Sequence, residues 1–515
     1  MDENDRLLDD NYLPDNMQDC HKLIKDLRSR VKSLEERVAE LEKQISRRNR
    51  MLFGKRSAKV SNTVLTGTGK ALYEANAQEL ETEKRKLQLL PDESKHGGGG
   101  RTAPACAPVK QRNEHTITDP LELACPCCGT MRKVIGFRVS QQLDILRAVF
   151  QLLEHIQYTY ACPKCQGEVV TAPKPEQPFG KGYATGGLVS HIGDAKFNWH
   201  QPLYRQQRIY GAQGVPIARS TMCRLLRDGA DILEHVVRRM HRLMLKSHFI
   251  QSDSTTMPVI KKGLGKAHRG SIWILRGDET QPYIVYEFTE TGEGKHPERM
   301  LAGFKGFLLT DGAPVFNGVI ANGATAVNCW AHAYRYFEDA RDSDAELADQ
   351  ALAIIKGLFD IERVAAQLSE NERLQLRQRL SKPRLAELRQ WLADQTESPY
   401  FLPKSKFGEA VNYCLNRWDA LCRYTNHGFL LADNNHSENG LRPAVLGRRN
   451  WLFAGSVEGG RTAAVFMSIV QTCRRLEIDP FEYMTDVLNR LPAVPTSQID
   501  EFLPDRWKQT RSRTQ

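Results

Sequence analysis

A multidomain α/β protein is predicted, in which helical and cysteine-bearing modules precede a strand-rich core. Three observations predict it: a heptad repeat near the start, two CxxC pairs after it, and short apolar strands alternating with helices beyond residue 246. At 515 residues the chain exceeds what one hydrophobic core organises and suggests roughly three or four domains. Apolar residues make up 41%, enough to bury real cores and too many for a disordered chain. The formal net charge of +10 leans toward a polyanionic partner, although a solvated basic surface fits it as well. The opening MDENDRLLDD lacks the basic-then-apolar pattern of a signal peptide, and no run reaches the roughly 18 apolar residues of a membrane span. No membrane partner is expected. Of 12 cysteines, five fall between Cys125 and Cys165, which suggests metal binding in a reducing, cytoplasmic compartment rather than a disulfide scaffold.

Residues 15–50 carry the heptad. With Ile24 at position a, Val31, Val38 and Ile45 continue the β-branched series, and Leu27, Leu34 and Leu41 fill d. That combination favours a parallel two-stranded coiled coil. Arg30 then faces Glu35 of a partner, and Arg37 faces Glu42, so the expectation is a homodimer rather than one amphipathic helix packed on its own chain. Residues 51–113 read as a basic stretch and flexible linker. The basic run begins just before them, with Arg47, Arg48, Arg50, Lys55, Arg56 and Lys59 and no acid, and suits DNA phosphate contacts as well as it suits plain solvation. PDESKHGGGGRTAPACAPVK has the composition of a flexible linker.

Residues 114–178 read as a zinc-binding domain. Cys125 and Cys128 form one knuckle, Cys162 and Cys165 a second, and two knuckles complete a tetrahedral thiolate shell around a structural Zn²⁺. FRVSQQLDI and EHIQYTYA alternate like strands that bring the knuckles together. Cys127 competes as a ligand, and a redox pair is the alternative. Residues 180–245 read as a helix-turn-helix region. One helix spans Leu188 to Phe197, LYRQQRIYGAQG forms a second, and IARSTMCRLLRDGADIL a third, with Ser220 or its neighbour as cap. Arg219, Thr221 and Arg224 are the candidate DNA-groove contacts.

Residues 246–475 read as the core. HFIQSDSTTMPVI is an extended run broken at Asp253, followed by the strands SIWILRGD and PYIVYEF, the helix HPERMLAGF and the strand GFLLTDGAPVF ending at Asp311. AVNCW and the helix AHAYRYFEDAR come next. Three hairpin-linked strands and then alternating helices and strands match a ribonuclease H-like catalytic domain. About 340–425 is a helical insertion, and 476–515 a C-terminal segment. Asp253 within an apolar strand is costly to bury unless it binds something, and Asp311 ends a strand where α/β folds place their sites. DNNHSENGLRP, from Asp433, supplies a third acid at a helix start: Asp433 and Asn434 cap it while Glu438 projects inward. Asp253, Asp311 and Glu438 can hold two Mg²⁺ ions about 4 Å apart, with Mn²⁺ as the substitute, for phosphodiester cleavage without a protein nucleophile. KKGLGKAHRG reads as a hairpin loop, and its Lys261, Lys262, Lys266 and Arg269 are as consistent with DNA as with solvent. His332 and Arg335, near the site, could contact phosphate, although a structural role fits them better.

On these residues the chain resembles the DDE transposases of the IS sixty-six insertion-sequence family over nearly its whole length. The strings that carry the resemblance are MLFGKRS, the paired CxxC knuckles, PLYRQQRIYGAQGVPIARST, TDG at Asp311, CWAHAYRYF, and DNN followed by a Glu, LRP and GRRNWLFAGS. The resemblance implies that Asp253, Asp311 and Glu438 take the catalytic, metal-holding roles and that the four knuckle cysteines take zinc. It implies binding of terminal inverted repeats, strand cleavage, transfer of 3′-hydroxyl ends into target DNA, small accessory proteins, and a bacterial, nucleoid-associated setting. Two departures stand out: Asn439 and Gly440 follow Glu438 where the family often has Arg and a small apolar residue, and Tyr334 and Tyr336 interrupt a basic pair around Arg335. The alternative is a catalytically inactive DNA-binding protein or repressor derived from a transposase, and a nuclease that cuts without joining is a third reading.

Overall fold

The computed structural model describes residues 67–86, 150–160, 170–172, 178–179, 184–260, 267–399 and 401–512. The heptad, the basic residues Arg47, Arg48, Arg50, Lys55 and Arg56, and the cysteines Cys125, Cys128, Cys162 and Cys165 lie outside the described residues.

In chain order the helices begin with α1 (Gly67–Lys86), and the two-stranded pair β1 (Thr159–Tyr160) and β2 (Val170–Thr171) follows. Next come α2 (Gly186–Phe197), α3 (Leu203–Ala212) and α4 (Arg219–Met244). The core then runs β3 (Phe249–Ile260), β4 (Ala267–Gly277), β5 (Ile284–Thr289), α5 (Lys295–Met300), β6 (Phe307–Thr310), α6 (Asn317–Ala321), β7 (Thr325–Asn328) and α7 (Trp330–Ala340). The insertion contributes α8 (Ala345–Ala365), α9 (Glu370–Leu376), a π-helical turn at Arg377–Ser381, α10 (Lys382–Glu397), α11 (Lys406–Asn416) and α12 (Trp418–Cys422). The chain ends with α13 (Asn435–Trp451), α14 (Val457–Arg475), α15 (Pro480–Arg490) and α16 (Pro504–Ser512).

One five-stranded sheet, in the order β5-β4-β3-β6-β7, organises the molecule. β3, β4 and β5 are antiparallel, whereas β6 and β7 run parallel to β3. Hairpins join the first three strands, and helical crossovers supply the parallel pair, as parallel pairing requires. Because side chains alternate across a strand, each strand feeds two cores. On β6, Leu308 packs with α4, α14 and α15, while Leu309 packs with α7, α8 and α11. Ile250 and Phe249 divide in the same way on β3. The sheet is therefore buried on both faces.

Four expectations need correction. β3 is not broken at Asp253: it pairs with β4 without interruption from Ile250↔Gly277 to Ile260↔Ala267. The ladder uses backbone groups, so an acidic side chain need not interrupt it. Ser220 does not cap the third helix, since α4 begins at Arg219 with Ala218 at the cap position and no side-chain capping bond. The helices of 180–245 form no separate unit, because α2 and α4 share one hydrophobic core with the sheet, α14 and α15. Finally, the stretch 51–113 contains α1, whose Leu80 is buried against Ile361, Val364 and Leu376 of the insertion. Tyr73 donates to Asp360 at 2.7 Å and Arg384 donates to Glu79 at 2.8 Å across the same contact. The low apolar content of α1 hides this docking from the sequence, because much of its attachment is polar.

Candidate active site

The sheet brings two of the acids level. β3 and β6 pair in parallel up to Gln251↔Leu309. Asp253 stands two residues further along β3, and Asp311 directly follows β6, close enough for its charge to act on Asp253. Backbone N–H groups fix both carboxylates: Ser254 donates to Asp253 at 2.7 Å and Ala313 to Asp311 at 2.9 Å. Gly312 turns the chain after Asp311 with φ +82°, a conformation that favours glycine.

Glu438 arrives from the first turn of α13. That helix start is seated on β3: the Asn434 side chain donates to the Ser252 carbonyl at 3.1 Å, and the Asn434 N–H donates to Cys329 Sγ at 3.1 Å. The capping expectation is thus half right. Asp433 accepts from the Asn435 N–H at 3.0 Å, whereas Asn434 occupies the cap position without a side-chain capping bond. Gly440 allows the close approach of α13 to β4, since a Cβ there would meet Ile274 Cδ1 at 2.3 Å.

Burial sets the electrostatics of Asp253 and Glu438, and neighbouring carboxylates add to it. Desolvation and then the Asp311 charge push the Asp253 carboxyl up to about 7, with Glu438 adding to the effect. Burial also raises Glu438, against the opposing pull of Arg335, and Asp433 and Asp311 raise it further. Like charges gathered in an enclosed place each favour the protonated form. Arg335 of α7 offsets part of this: its Nη2 donates to both Glu438 oxygens, at 2.6 and 2.8 Å. His332 Nδ1 lies 3.6 Å from Glu438. Burial and the Arg335 charge lower this imidazole to about 4, so it is neutral at neutral pH.

Among the described residues, Cys329, His332 and Glu438 place potential ligand atoms within 4.8 Å of one another. Burial raises the Cys329 thiol well above its ordinary value, so it stays protonated and is a poor ligand. The carboxylates are the better cation holders, and hard divalent ions prefer oxygen.

The insertion also reaches the site, through residues that the sequence did not single out. Tyr413 of α11 donates to the Asp311 carbonyl at 2.9 Å, and Arg417 donates to the Gly312 carbonyl at 3.1 Å. Tyr336 stacks on Tyr413 with ring centroids 4.6 Å apart, which explains one tyrosine beside Arg335; Tyr334 is a core residue. No spacing could have pointed to Tyr413, because its partner is a backbone carbonyl 102 residues away. Arg219, Thr221 and Arg224 do not join the acids. They sit on the first turns of α4, Arg219 and Arg224 exposed, with Arg224 3.7 Å from Asp228.

The sequence model of the transposase IS66 family matches residues 181–462, a span that contains all three acids. The chain belongs to the transposase IS66 family. Residues 122–166 match the zinc-finger binding domain of transposase IS66, which spans both cysteine knuckles and makes this a zinc-binding domain. Residues 468–504 match the IS66 C-terminal element. Two relatives come from Sinorhizobium fredii. The uncharacterized protein y4hP is 30% identical over 426 residues, 78% of this chain and 76% of its own length. The uncharacterized protein y4jD is 29% identical over 438 residues, 81% of this chain and 85% of its own. Family membership makes this chain a transposase with DNA as its partner. Among the described residues, no helix is long and apolar enough to cross a membrane.

Proposed function

We propose that this transposase binds the terminal inverted repeats of an insertion sequence, cleaves DNA strands and transfers their 3′-hydroxyl ends into target DNA. The reading rests on Asp253 within β3, Asp311 just after β6 and Glu438 in the first turn of α13, three acids whose charges act on one another. The strand order and directions support a ribonuclease H-like core, and the three helices before it support a helix-turn-helix with Arg219, Thr221 and Arg224 toward DNA.

The donor set fits divalent metal. Three carboxylates act on one another's charge, burial and then the Asp311 charge raise Asp253 to about 7, and a guanidinium already stands in for missing positive charge at Glu438. Two Mg²⁺ ions held by Asp253, Asp311 and Glu438 would activate the attacking oxygen and steady the leaving one. The protein's own groups hold the site in shape. Tyr413 and Arg417 fix the turn at Asp311, and Asn434 fixes the start of α13 against β3. Arg335 neutralises Glu438 and is free to turn to a DNA phosphate once cations take over that charge.

Zinc on Cys125, Cys128, Cys162 and Cys165 shapes the N-terminal DNA-binding module. The heptad pairs two copies, so that Arg47, Arg48, Arg50, Lys55 and Arg56 form two basic arms. The protein acts in the bacterial cytoplasm, at the nucleoid, alongside small accessory proteins of the same element.

The test is strand cleavage of the element's own ends in Mg²⁺, comparing wild type with Glu438→Gln. Cutting by the wild type and loss of it in the variant support the proposal. Tight binding without cutting by either would make the chain a DNA-binding repressor. Hydrolysis without joined products would make it a nuclease.

A further inference from the structure

The carboxyl end of α13 carries an exposed apolar tip that the proposed chemistry leaves unused. Leu452 is 65% exposed and Phe453 40% exposed. Leu452 has φ +67° and ψ −47°, and the Phe453 N–H donates back to the Trp451 carbonyl at 2.8 Å. This is a γ-turn in its rare positive-φ form. A bulky residue is strained there and persists only where its surroundings impose it.

The surroundings do impose it, from three sides. Trp451 packs edge-on against Phe197 of α2, with centroids 6.0 Å apart, and lies under Lys196 at 4.1 Å. Ala454 is bridged to β3: its N–H donates to the Pro258 carbonyl at 2.8 Å, and its carbonyl accepts from Ile260 at 2.9 Å. Ser456 caps α14, accepting from Gly459 at 3.0 Å. The tip is thus a rigid projection, built on the strand that carries Asp253.

Its neighbourhood is basic. From Asn439 to Ser456 the sequence holds no acid. Glu438, Arg442, Leu446 and Arg449 recur at helical spacing along one side of α13, and Arg442, Leu446 and Arg449 are exposed. Arg269, also exposed, stands opposite Pro258 in the β3–β4 register. One stripe therefore runs from the candidate cleavage site to the apolar tip. Its length is about 20 Å at 1.5 Å per residue, or roughly six base-pair steps at 3.4 Å.

We propose that Leu452 and Phe453 form a wedge that opens a base step of the bound DNA duplex, Leu452 entering the step and Phe453 stacking on the exposed base. The basic stripe holds the flanking phosphates, and a rigid apolar wedge offsets the cost of unstacking with new contact. The charge of the stripe and its continuity with the acids favour DNA over a protein partner. The inference rests on the transposase reading.

The experiment uses the full chain and a duplex from the element's terminus carrying 2-aminopurine at successive positions near the cleavage point. Wild type is expected to raise 2-aminopurine fluorescence severalfold at one or two adjacent positions. The double variant Leu452→Ala/Phe453→Ala is expected to lose that rise while duplex affinity, followed by anisotropy, weakens by about tenfold or less. Leu452→Gly separates the role from folding: glycine accepts positive φ, so its melting temperature should hold or rise while the fluorescence rise drops. Phe453→Trp should keep the signal. A rise unchanged in the double variant overturns the wedge. So does a change of sedimentation mass in the DNA-free variant with the rise intact, which would make the tip a protein contact. Cleavage of the same duplex in Mg²⁺ is scored separately. A rise that depends on the tip without cleavage keeps the wedge and removes the cleavage reading; cleavage with no rise does the reverse. No duplex binding by wild type overturns both.

Discussion

Two places in this molecule gather charge away from water, and they do so in opposite ways. In the insertion, Arg377 is fully buried, yet its guanidinium is satisfied. It donates to Glu362 at 2.8 Å through Nε, and to the carbonyls of Tyr424, His427 and Leu430 at 3.0, 2.7 and 2.9 Å. At the acids, the Arg335 guanidinium bonds Glu438, while burial and then the Asp311 charge push Asp253 up to about 7. A closed network of charge and hydrogen bonds specifies structure, whereas an excess of one sign is tolerated where another ion completes it. The difference separates a structural pin from the proposed catalytic site. Arg377 ties down the segment from Tyr424 to Leu430, which leads directly to Asp433 and α13, so the satisfied cluster holds the unsatisfied one in place.

Removing charge at each place should have opposite consequences. Asp253→Asn or Asp311→Asn should lower strand cleavage in Mg²⁺ by roughly 10³-fold or more, about 4 kcal/mol in barrier, while the circular dichroism spectrum stays native. A loss under tenfold would place the chemistry elsewhere. Arg377→Ala should do the reverse, destabilising the chain by about 3–5 kcal/mol because Glu362 is left enclosed without its partner. Urea unfolding reads this, and a loss below about 1 kcal/mol would deny the pin its role.

The pH dependence sharpens the contrast. The folded Asp253 value of about 7 stands above its ordinary 3.8, so between those pH values the folded chain holds a proton that the unfolded chain has released. Without divalent ions, this residue therefore lowers stability as pH rises through that window. Asp253→Asn should stabilise the metal-free protein at pH 8 by on the order of 4 kcal/mol, and the gain should fade below about pH 4. Thermal melts across pH check it, and a constant difference would refute it. Mg²⁺ should raise the melting temperature of wild type more than that of the variant. The smallest effect is expected at Tyr413→Phe, which removes only the hydroxyl that holds the Asp311 carbonyl. Cleavage should slow about fivefold, the equivalent of roughly 1 kcal/mol, with the melting temperature nearly unchanged. A drop in melting temperature without slower cleavage would make Tyr413 a packing residue alone.

The three proposed acids were legible in the sequence because carboxylates are conspicuous in apolar strands. Asp253 and Asp311 stand out against FIQSDS and FLLTDG, and Glu438 against DNNHSENG. The strand order was legible as well, from the alternation of short apolar runs and helices. The partners of these acids were not. Arg335 was visible only as a neighbour, and its bond to Glu438 spans 103 residues. Tyr413 reads as an ordinary apolar-face aromatic of an insertion helix. The docking of α1 was missed because its contacts alternate between Leu80 and polar groups such as Tyr73 and Glu79, so no single periodicity marks it.

By itself the sequence determined which segments become strands and helices and which carboxylates enter them, because periodicity and burial are local properties of residue order. Only the tertiary structure decided that Arg335 neutralises Glu438, that Tyr413 and Arg417 hold the turn at Asp311, and that Leu452 projects in a positive-φ turn. Each of these depends on contacts between segments far apart in the chain. Such contacts form only when parallel pairing of β3 with β6 brings distant strands together, and no local pattern records where a long-range partner will stand.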